Sequence, residues 1–505
     1  MKKIISYDLG TGGVKASLYD SQLNTLAKSF IEYKTTYPHP DFHEQAPADW
    51  WNGVVASTRK LLQESGVDAT SVAGIALSGH SLVTVPIGKN GEELLERVPI
   101  WSDTRAKQEA EQFFSTISEE SWYLRTGNGF PPPCYSIFKL MWMKKHQPEV
   151  YEATNKVLGS KDYINYKMTG ILRTDHSYAS GTGAYDLHNH QMCPELLEAA
   201  GIRPDIFPEI VDSAQIIGSL TEQAAHELGL LQGVQVACGG VDNACMALGS
   251  VGCRPGRVYT SLGSSSWIAV NSTKPVLNEK TKPYVFAHIA PGMYTSAFSI
   301  FAGGSSLRWV RDTLCKDLLD REDPYQAMTE EMLKEPIGAG GVFFNPSLAG
   351  GTCQDKSVHI KGAFLGLNLG TSRGAIIRAA MEGIAMNLKL SLDNLVTATP
   401  ISDTLQFCGG GSKNPAWMQM FADIFGKKIL KTNIDQDAAS LGAAAIIARA
   451  MSMIDSYDAV DAMHRPERIC TPECNAHKSY QKLLTQFQHA SDLLADFGDW
   501  LQKDA

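Results

Sequence analysis

Short apolar runs that close on glycine or an acid alternate along the chain with stretches whose apolar residues fall three and four apart. The first pattern reads as strand and the second as amphipathic helix. Residues 3–8, 14–19 and 25–33 make three strands, the first two joined by Leu9-Gly10-Thr11-Gly12-Gly13. A helix opens near Pro47, sets Trp51, Val54, Val55, Thr58, Leu61 and Leu62 on one face, and stops at Gly66. Residues 72–77 form a buried strand ending in Ser78-Gly79-His80-Ser81, and residues 82–87 form the next. Helices are expected at 105–114, 136–146, 162–170 and 221–229, with the polar stretch 174–182 covering a cleft. The run Val234-Gln235-Val236-Ala237 then leads into Gly239-Gly240-Val241-Asp242.

The second half repeats the style of the first. Residues 249–256, rich in glycine, read as a switch between halves. Strands at 257–262 and 267–270 flank Gly263-Ser264-Ser265-Ser266. One helix starts at Gly303, and a longer one, at about 372–397, turns Ile376, Ile377, Ala380, Ile384 and Leu388 inward. A strand at 404–408 ends in Gly409-Gly410-Gly411-Ser412. Asn414 caps the following helix, Pro415 occupies its first turn and Gly426 ends it. Residues 437–445 form a small-residue helix suited to close packing. Residues from 452 onward read as a polar extension with one helix, about 477–501, and no assigned function.

Composition narrows the class. A chain of 505 residues is too long for one hydrophobic core, so two or three domains are expected. The net charge is −9 with no long basic block, which disfavours nucleic acid and anionic membranes as partners. Asp8 arrives too early for the apolar region of a signal peptide, and no apolar run is long enough to span a bilayer. Ten cysteines lack paired CxxC spacing, so reduced thiols are the default and zinc is disfavoured. A soluble cytoplasmic protein is the expectation. Oligomeric state stays open, a homodimer being one option.

The two glycine-rich hairpins carry the chemistry. A hairpin that points consecutive N–H groups at one spot makes a nest for phosphate oxygens. Lys15 adds a positive charge beside the first, and Asp8 can hold a metal through water. The hairpins recur roughly 250 residues apart, which makes a duplicated fold the natural reading. Three glycines after a strand, at 409–411, let backbone lie flat against a ligand such as an adenine ring. Trp101, Asp103, Arg105 and His80 offer an aromatic surface with acceptors and donors, which suits a polyhydroxylated ligand. Asp103 reads equally well as a helix cap. Asp242 has two readings as well, an N-cap for the helix that follows or a catalytic base at a strand end.

In order and spacing, these segments resemble the FGGY family of carbohydrate kinases, within the superfamily that joins actin, heat-shock chaperones and sugar kinases. The matching stretches are Asp8-Leu9-Gly10-Thr11-Gly12-Gly13-Val14-Lys15, Trp101-Ser102-Asp103-Thr104-Arg105, Lys139-Leu140-Met141-Trp142, Gly240-Val241-Asp242-Asn243, Ser261-Leu262-Gly263-Ser264-Ser265, Arg378-Ala379-Ala380-Met381-Glu382-Gly383 and Gly409-Gly410-Gly411-Ser412. The resemblance implies an α/β fold of two ribonuclease-H-like (actin-like ATPase) domains flanking a deep cleft. Residues 1–248 would hold the sugar and residues 249–505 the nucleotide. It further implies ATP and Mg²⁺, with Asp242 as base and Asp8 at the metal. Thr11, Gly12, Lys15, Gly263 and Ser264 would face phosphates, and Gly410, Gly411 and Asn414 would line the adenosine. His80, Trp101, Asp103 and Arg105 would meet the sugar.

Two loops depart from the family. Xylulokinases similar to this chain carry Gln-Met-His-Gly where Gly79-His80-Ser81-Leu82-Val83 stands, and gluconokinase-like members carry Met-His there too. A Gly-Glu-Arg-x-Pro stretch common in the second domain reads Ala349-Gly350-Gly351-Thr352-Cys353. The implied acceptor is a ketopentose, D-xylulose first, with another pentulose, a tetrulose or an aldonate behind it. A non-catalytic sugar or nucleotide sensor and a chaperone-like ATPase are the rival classes.

Overall fold

The computed structural model describes residues 2–397 and 399–503. Each half is built on a seven-stranded sheet. In the first, Lys3–Gly10 pairs antiparallel with Gly13–Asp20 on one side and parallel with Val72–Gly79 on the other. In the second, Val258–Leu262 pairs antiparallel with Ser266–Ser272 and parallel with Thr404–Cys408. The expected duplication is therefore present at the level of strand pairing. Each hairpin sits at the end of a central strand, where parallel strands also end and where ligands meet open α/β sheets.

The halves meet through two helices, Asp242–Val251 and Ala438–Ala450. Their crossing is close because it is made by glycines. A Cβ on Gly249 would lie 1.7 Å from the carbonyl oxygen of Ala438, and one on Gly442 would lie 2.0 Å from that of Cys245. Helix Ala438–Ala450 also roofs the first sheet: Ile446 and Ile447 share one apolar core with Ile4, Ala76 and Leu248. A Cβ on Gly74 would strike Ile447 and Met451 at about the same 2.5–2.6 Å.

Four sequence expectations change. The strand expected at 82–87 starts only at Val85, because Leu82 adopts a left-handed φ of +62° that breaks extended pairing. The helix expected from 105 starts at Lys107, and its N-cap is Ala106 rather than Asp103. Residues 174–182 are no loose polar stretch: Arg173–Asp175 is a strand and His176–Ala179 a helical turn with Ser177, Tyr178 and Ala179 buried. The tail is no loose extension. Pro466–Cys470 completes the edge of the second sheet, and Cys474–Lys503 packs Tyr480, Phe487 and Ala495 into buried positions. Tyr480 donates to Glu382 at 2.8 Å, and Arg378 donates to both Tyr480 (3.0 Å) and Glu382 (2.7 Å), so the tail is tied to the long helix Arg373–Val396. Among the described residues no helix is long and apolar enough to cross a membrane.

Candidate active site

Asp242 owes its place to the two glycines before it. The strand Gln235–Ala237 stops, and Gly239 turns with φ +76°, a conformation and a space that exclude a side chain. A Cβ there would lie 2.3 Å from the Leu77 carbonyl oxygen. The chain then re-pairs for two residues, Gly240–Val241, alongside Ser78 and Gly79. Asp242 follows as the first helical residue, so the N-cap is Val241 and not the acid itself. Its carboxylate still accepts the Asn243 N–H at 2.7 Å. Burial raises its pKa to about 7; the Asn243 bond pulls it down, and the charge of Asp8 pushes it up. A half-buried carboxylate poised near neutrality is suited to accepting a proton from a hydroxyl.

Asp8 ends the apolar part of its strand and accepts a hydrogen bond from Ser78 at 2.9 Å. Burial raises its pKa, Lys15 and Ser78 lower it, and Asp437 raises it. Lys15 does not offer a free charge to phosphates. It faces Asp8 across the hairpin, donates to the Gln436 carbonyl at 2.7 Å and pairs with Asp437 at 3.2 Å. Asp437 begins the crossing helix, so this lysine ties the first hairpin to the second half.

The first hairpin is held from outside. Gln45 donates to the Thr11 carbonyl at 2.7 Å, and Tyr33 donates to the Gly10 carbonyl at 2.5 Å. Trp101 donates its indole N–H to Thr11 Oγ1 at 2.9 Å, which leaves the Thr11 hydroxyl proton free to point at a ligand. The second hairpin leans on helix Gly303–Leu314, whose Gly304 and Ser305 amides donate to the Gly263 and Ser264 carbonyls at 2.9 and 3.0 Å. Arg308 reaches Ser264 Oγ at 3.3 Å, a cation that the sequence reading did not single out.

The third glycine loop separates by cause. Gly409 has φ +89° and lies against Leu262 backbone, and a Cβ on Gly411 would meet Trp417 and Leu262 at 2.9 Å. Gly410 has no such need: its φ is not left-handed and a Cβ would meet nothing within 4 Å. The same holds for Gly12. Protein packing does not explain glycine at 12 and 410, whereas close approach of a ligand does. Asn414 is the cap expected of it, accepting the Trp417 N–H at 3.1 Å and donating to Thr329 at 2.7 Å.

Just after strand Val72–Gly79, His80 stands out. It is 1% exposed, and neither ring nitrogen has a partner. Burial drives its pKa down to about 4, helped by Lys139, so the ring is neutral and keeps one donor and one acceptor unspent. Trp50 packs edge-on against it at 5.3 Å. Lys139, also buried, donates to the carbonyls of Leu82 (2.9 Å) and Ile100 (2.6 Å) and so fastens the His80 loop to the Trp101 loop.

Asp103 and Arg105 do not line the site as expected. Arg105 grips both oxygens of Asp103 at 2.9 and 2.8 Å, reaches Glu44 at 2.6 Å, and lies 4.0 Å over the ring of Phe42. Asp103 is fully buried and also accepts the His43 N–H at 2.8 Å. The pair stiffens the loop behind Trp101, with Nε and Nη2 of Arg105 and both oxygens of Asp103 engaged by protein. Ser78, Ser160, Ser177 and Tyr178, which brace Asp8, His80 and Asp242, carry no spacing signal in the sequence, because their partners lie far from them along the chain.

Residues 3–249 match the N-terminal domain, and residues 258–451 the C-terminal domain, of the FGGY family of carbohydrate kinases. The xylulose kinase of Bacillus subtilis (strain 168) is 28% identical over 98% of this chain and 98% of its own length. The gluconokinase of Bacillus licheniformis is 27% identical over 97% and 96%. The crystal structure of xylulose kinase from Rhodospirillum rubrum superposes with a TM-score of 0.90 at 26% identity, covering 99% of this chain and all of that one. The two halves with their paired hairpins are the actin-like fold of these kinases. Matched through both domains and superposable along nearly its whole length, the chain belongs to the FGGY family of carbohydrate kinases and is a phosphotransferase that uses ATP and an alcohol acceptor.

Proposed function

We propose that the chain phosphorylates a ketopentose, D-xylulose first, with Asp242 as the base and Asp8 at a Mg²⁺ site, and with residues 1–248 and 249–505 as sugar and nucleotide domains. The observation that carries the base is Asp242 itself: a carboxylate at a strand end, raised to about 7 by burial and by Asp8. The sugar hydroxyl gives its proton to Asp242 as its oxygen attacks the γ-phosphorus of ATP and the bond to the β-phosphate oxygen breaks. His80 orients the acceptor with its unspent nitrogens. The Thr11 hydroxyl and the hairpin amides take up phosphate charge. When bound, Mg²⁺ supplies charge neutralisation at the phosphates. Among the described residues no three His, Cys, Asp or Glu side chains cluster as a cage, and Mg²⁺ needs only one or two carboxylates plus phosphate oxygens and water. Asp8 fits that role.

A neutral polyol is favoured over an aldonate because the cations that brace these loops are buried and paired within the protein. Lys139 is 1% exposed and fixed on two carbonyls, and Arg105, its side chain 5% exposed, already neutralises two carboxylates, so little positive charge is left for a substrate carboxylate. An ADP-release screen over D-xylulose, other pentuloses, tetruloses, gluconate and glycerol tests this, with D-xylulose expected to give the highest kcat/KM. A higher kcat/KM for gluconate would move the assignment to an aldonate kinase. Sugar-independent ATP hydrolysis alone would remove the kinase reading.

The nucleotide side has its own test. Gly410→Leu is expected to raise the KM for ATP about tenfold or more while leaving the melting temperature within roughly 2 °C, since nothing in the protein lies within 4 Å of the new Cβ. An unchanged KM for ATP would take Gly410 out of the nucleotide site.

A further inference from the structure

Behind Asp242 and His80 lies a charged cluster that solvent does not reach. The side chains of Lys161, Asp162 and Asp175 are 0%, 1% and 0% exposed. Lys161 donates to Asp162 at 2.5 Å, to Asp175 at 3.0 Å and to the Cys238 carbonyl at 3.2 Å. Buried charges are a costly way to hold a fold, and apolar residues of equal volume usually serve stability as well. What this cluster holds is backbone next to the base.

Asp175 Oδ2 accepts the Ser177 hydroxyl (2.5 Å), the Ser177 N–H (2.9 Å) and the Ser213 hydroxyl (2.8 Å). With its proton committed to Asp175, Ser177 Oγ turns a lone pair to the Val241 N–H and accepts it at 3.0 Å. Val241 is the residue before Asp242, at the point where strand becomes helix. The Gly239 N–H is taken by the Ser213 carbonyl at 3.0 Å. Neighbours in the same two segments hold the sugar side: Ser160 and Tyr178 donate to the His80 carbonyl at 2.8 and 3.1 Å.

We propose that Asp175 and Ser177 are positioning residues for phosphoryl transfer, fixing the Val241 peptide and through it the aim of Asp242, in one frame with His80. The inference rests on Asp242 being the base. A misaimed base costs rate steeply, because the reacting atoms must meet in line at a fixed separation.

The test is a double-mutant cycle with Asp242→Asn, measured with ATP and the best acceptor from the ADP-release screen. Ser177→Ala is expected to lower kcat about 10- to 100-fold with the KM for ATP within about twofold. In the Asp242→Asn background the same change is expected to cost less than about twofold, because no base remains to be aimed. With rates taken per folded enzyme, from the folded fraction measured in each background, a role unconnected with aiming the base would cost the same in both, so equal losses overturn the proposal. An unchanged kcat in Ser177→Ala overturns it too. If Ser177→Ala does not fold, Ser213→Ala carries the same cycle with a smaller loss and the same criterion. Full activity in Asp242→Asn alone would remove the base and this inference together. A large loss there beside an unaffected Ser177→Ala removes the positioning role only.

Discussion

Asp242→Asn is expected to lower kcat about a thousandfold, within the range that a positioned general base contributes, while leaving the KM for ATP within a few-fold. The amide keeps the shape and can still accept the Asn243 N–H, so a loss reports chemistry rather than folding. The wild-type pH profile carries the second half of this expectation. The base must be ionised, so kcat/KM, which reports the free enzyme, should fall as pH drops through about 7, and that acidic limb should vanish in the variant. Stability moves the other way. An unfolded aspartate titrates near 3.9 and the folded one near 7, so the folded state holds the proton more tightly. The ionised carboxylate therefore penalises the fold above pH 7, and the penalty shrinks between pH 7 and 4 and is gone below that. The variant should be more stable than wild type at pH 8, by on the order of 2 kcal/mol after allowing for partial exposure, with the gap closing toward pH 4. Wild-type kcat in Asp242→Asn would end its role as base. A lower melting temperature at pH 8 would contradict the account of a buried carboxylate that opposes the fold when ionised.

Gly249→Ala is expected to be the most disruptive single methyl in the chain's helix crossing. Its Cβ would sit 1.7 Å from the Ala438 carbonyl oxygen, a contact that only separation of the two helices relieves. Overpacking of this kind costs about 1–3 kcal/mol or more. Separation would also draw the second half's glycine-rich hairpin away from Asp8 and Asp242, so kcat should fall together with stability. Gly12→Ala is the control, because nothing lies within 4 Å of its Cβ and no comparable melting change is expected. Thermal melts of the two variants side by side decide it. If Gly249→Ala melts like Gly12→Ala, the crossing is looser than its geometry states.

What the sequence made legible was local. The break from an apolar run into Gly239-Gly240 marked Asp242, and the paired hairpins and the Gly409–Gly411 loop stood where the strands place them. What it hid depended on distant partners. Arg105 looked like a donor for a sugar because Glu44 and the Phe42 ring that engage it lie far earlier in the chain. Lys15 looked free for phosphate because Asp437 stands near the other end. Leu82 read as strand, since nothing in Ser81-Leu82-Val83 announces a left-handed residue that has no glycine to accommodate it. The tail read as polar because the buried positions of helix Cys474–Lys503 are spaced among many polar residues. His80 was marked, but only the structure shows that both its nitrogens are unclaimed.

The roof over the first sheet also sets an order of events during synthesis. Ile4 and Ala76 leave the ribosome early, yet Ile446 and Ile447, which cover them, are made near the end. At 5–20 residues per second, helix Ala438–Ala450 begins to emerge roughly 10 to 40 s after residue 249. For that interval the nascent first half carries a bare apolar face, the kind of surface that invites chaperones or aggregation. Messages truncated between the two family domains would leave the face permanently open. The joint that brings the halves together is thus also the step on which the first half waits.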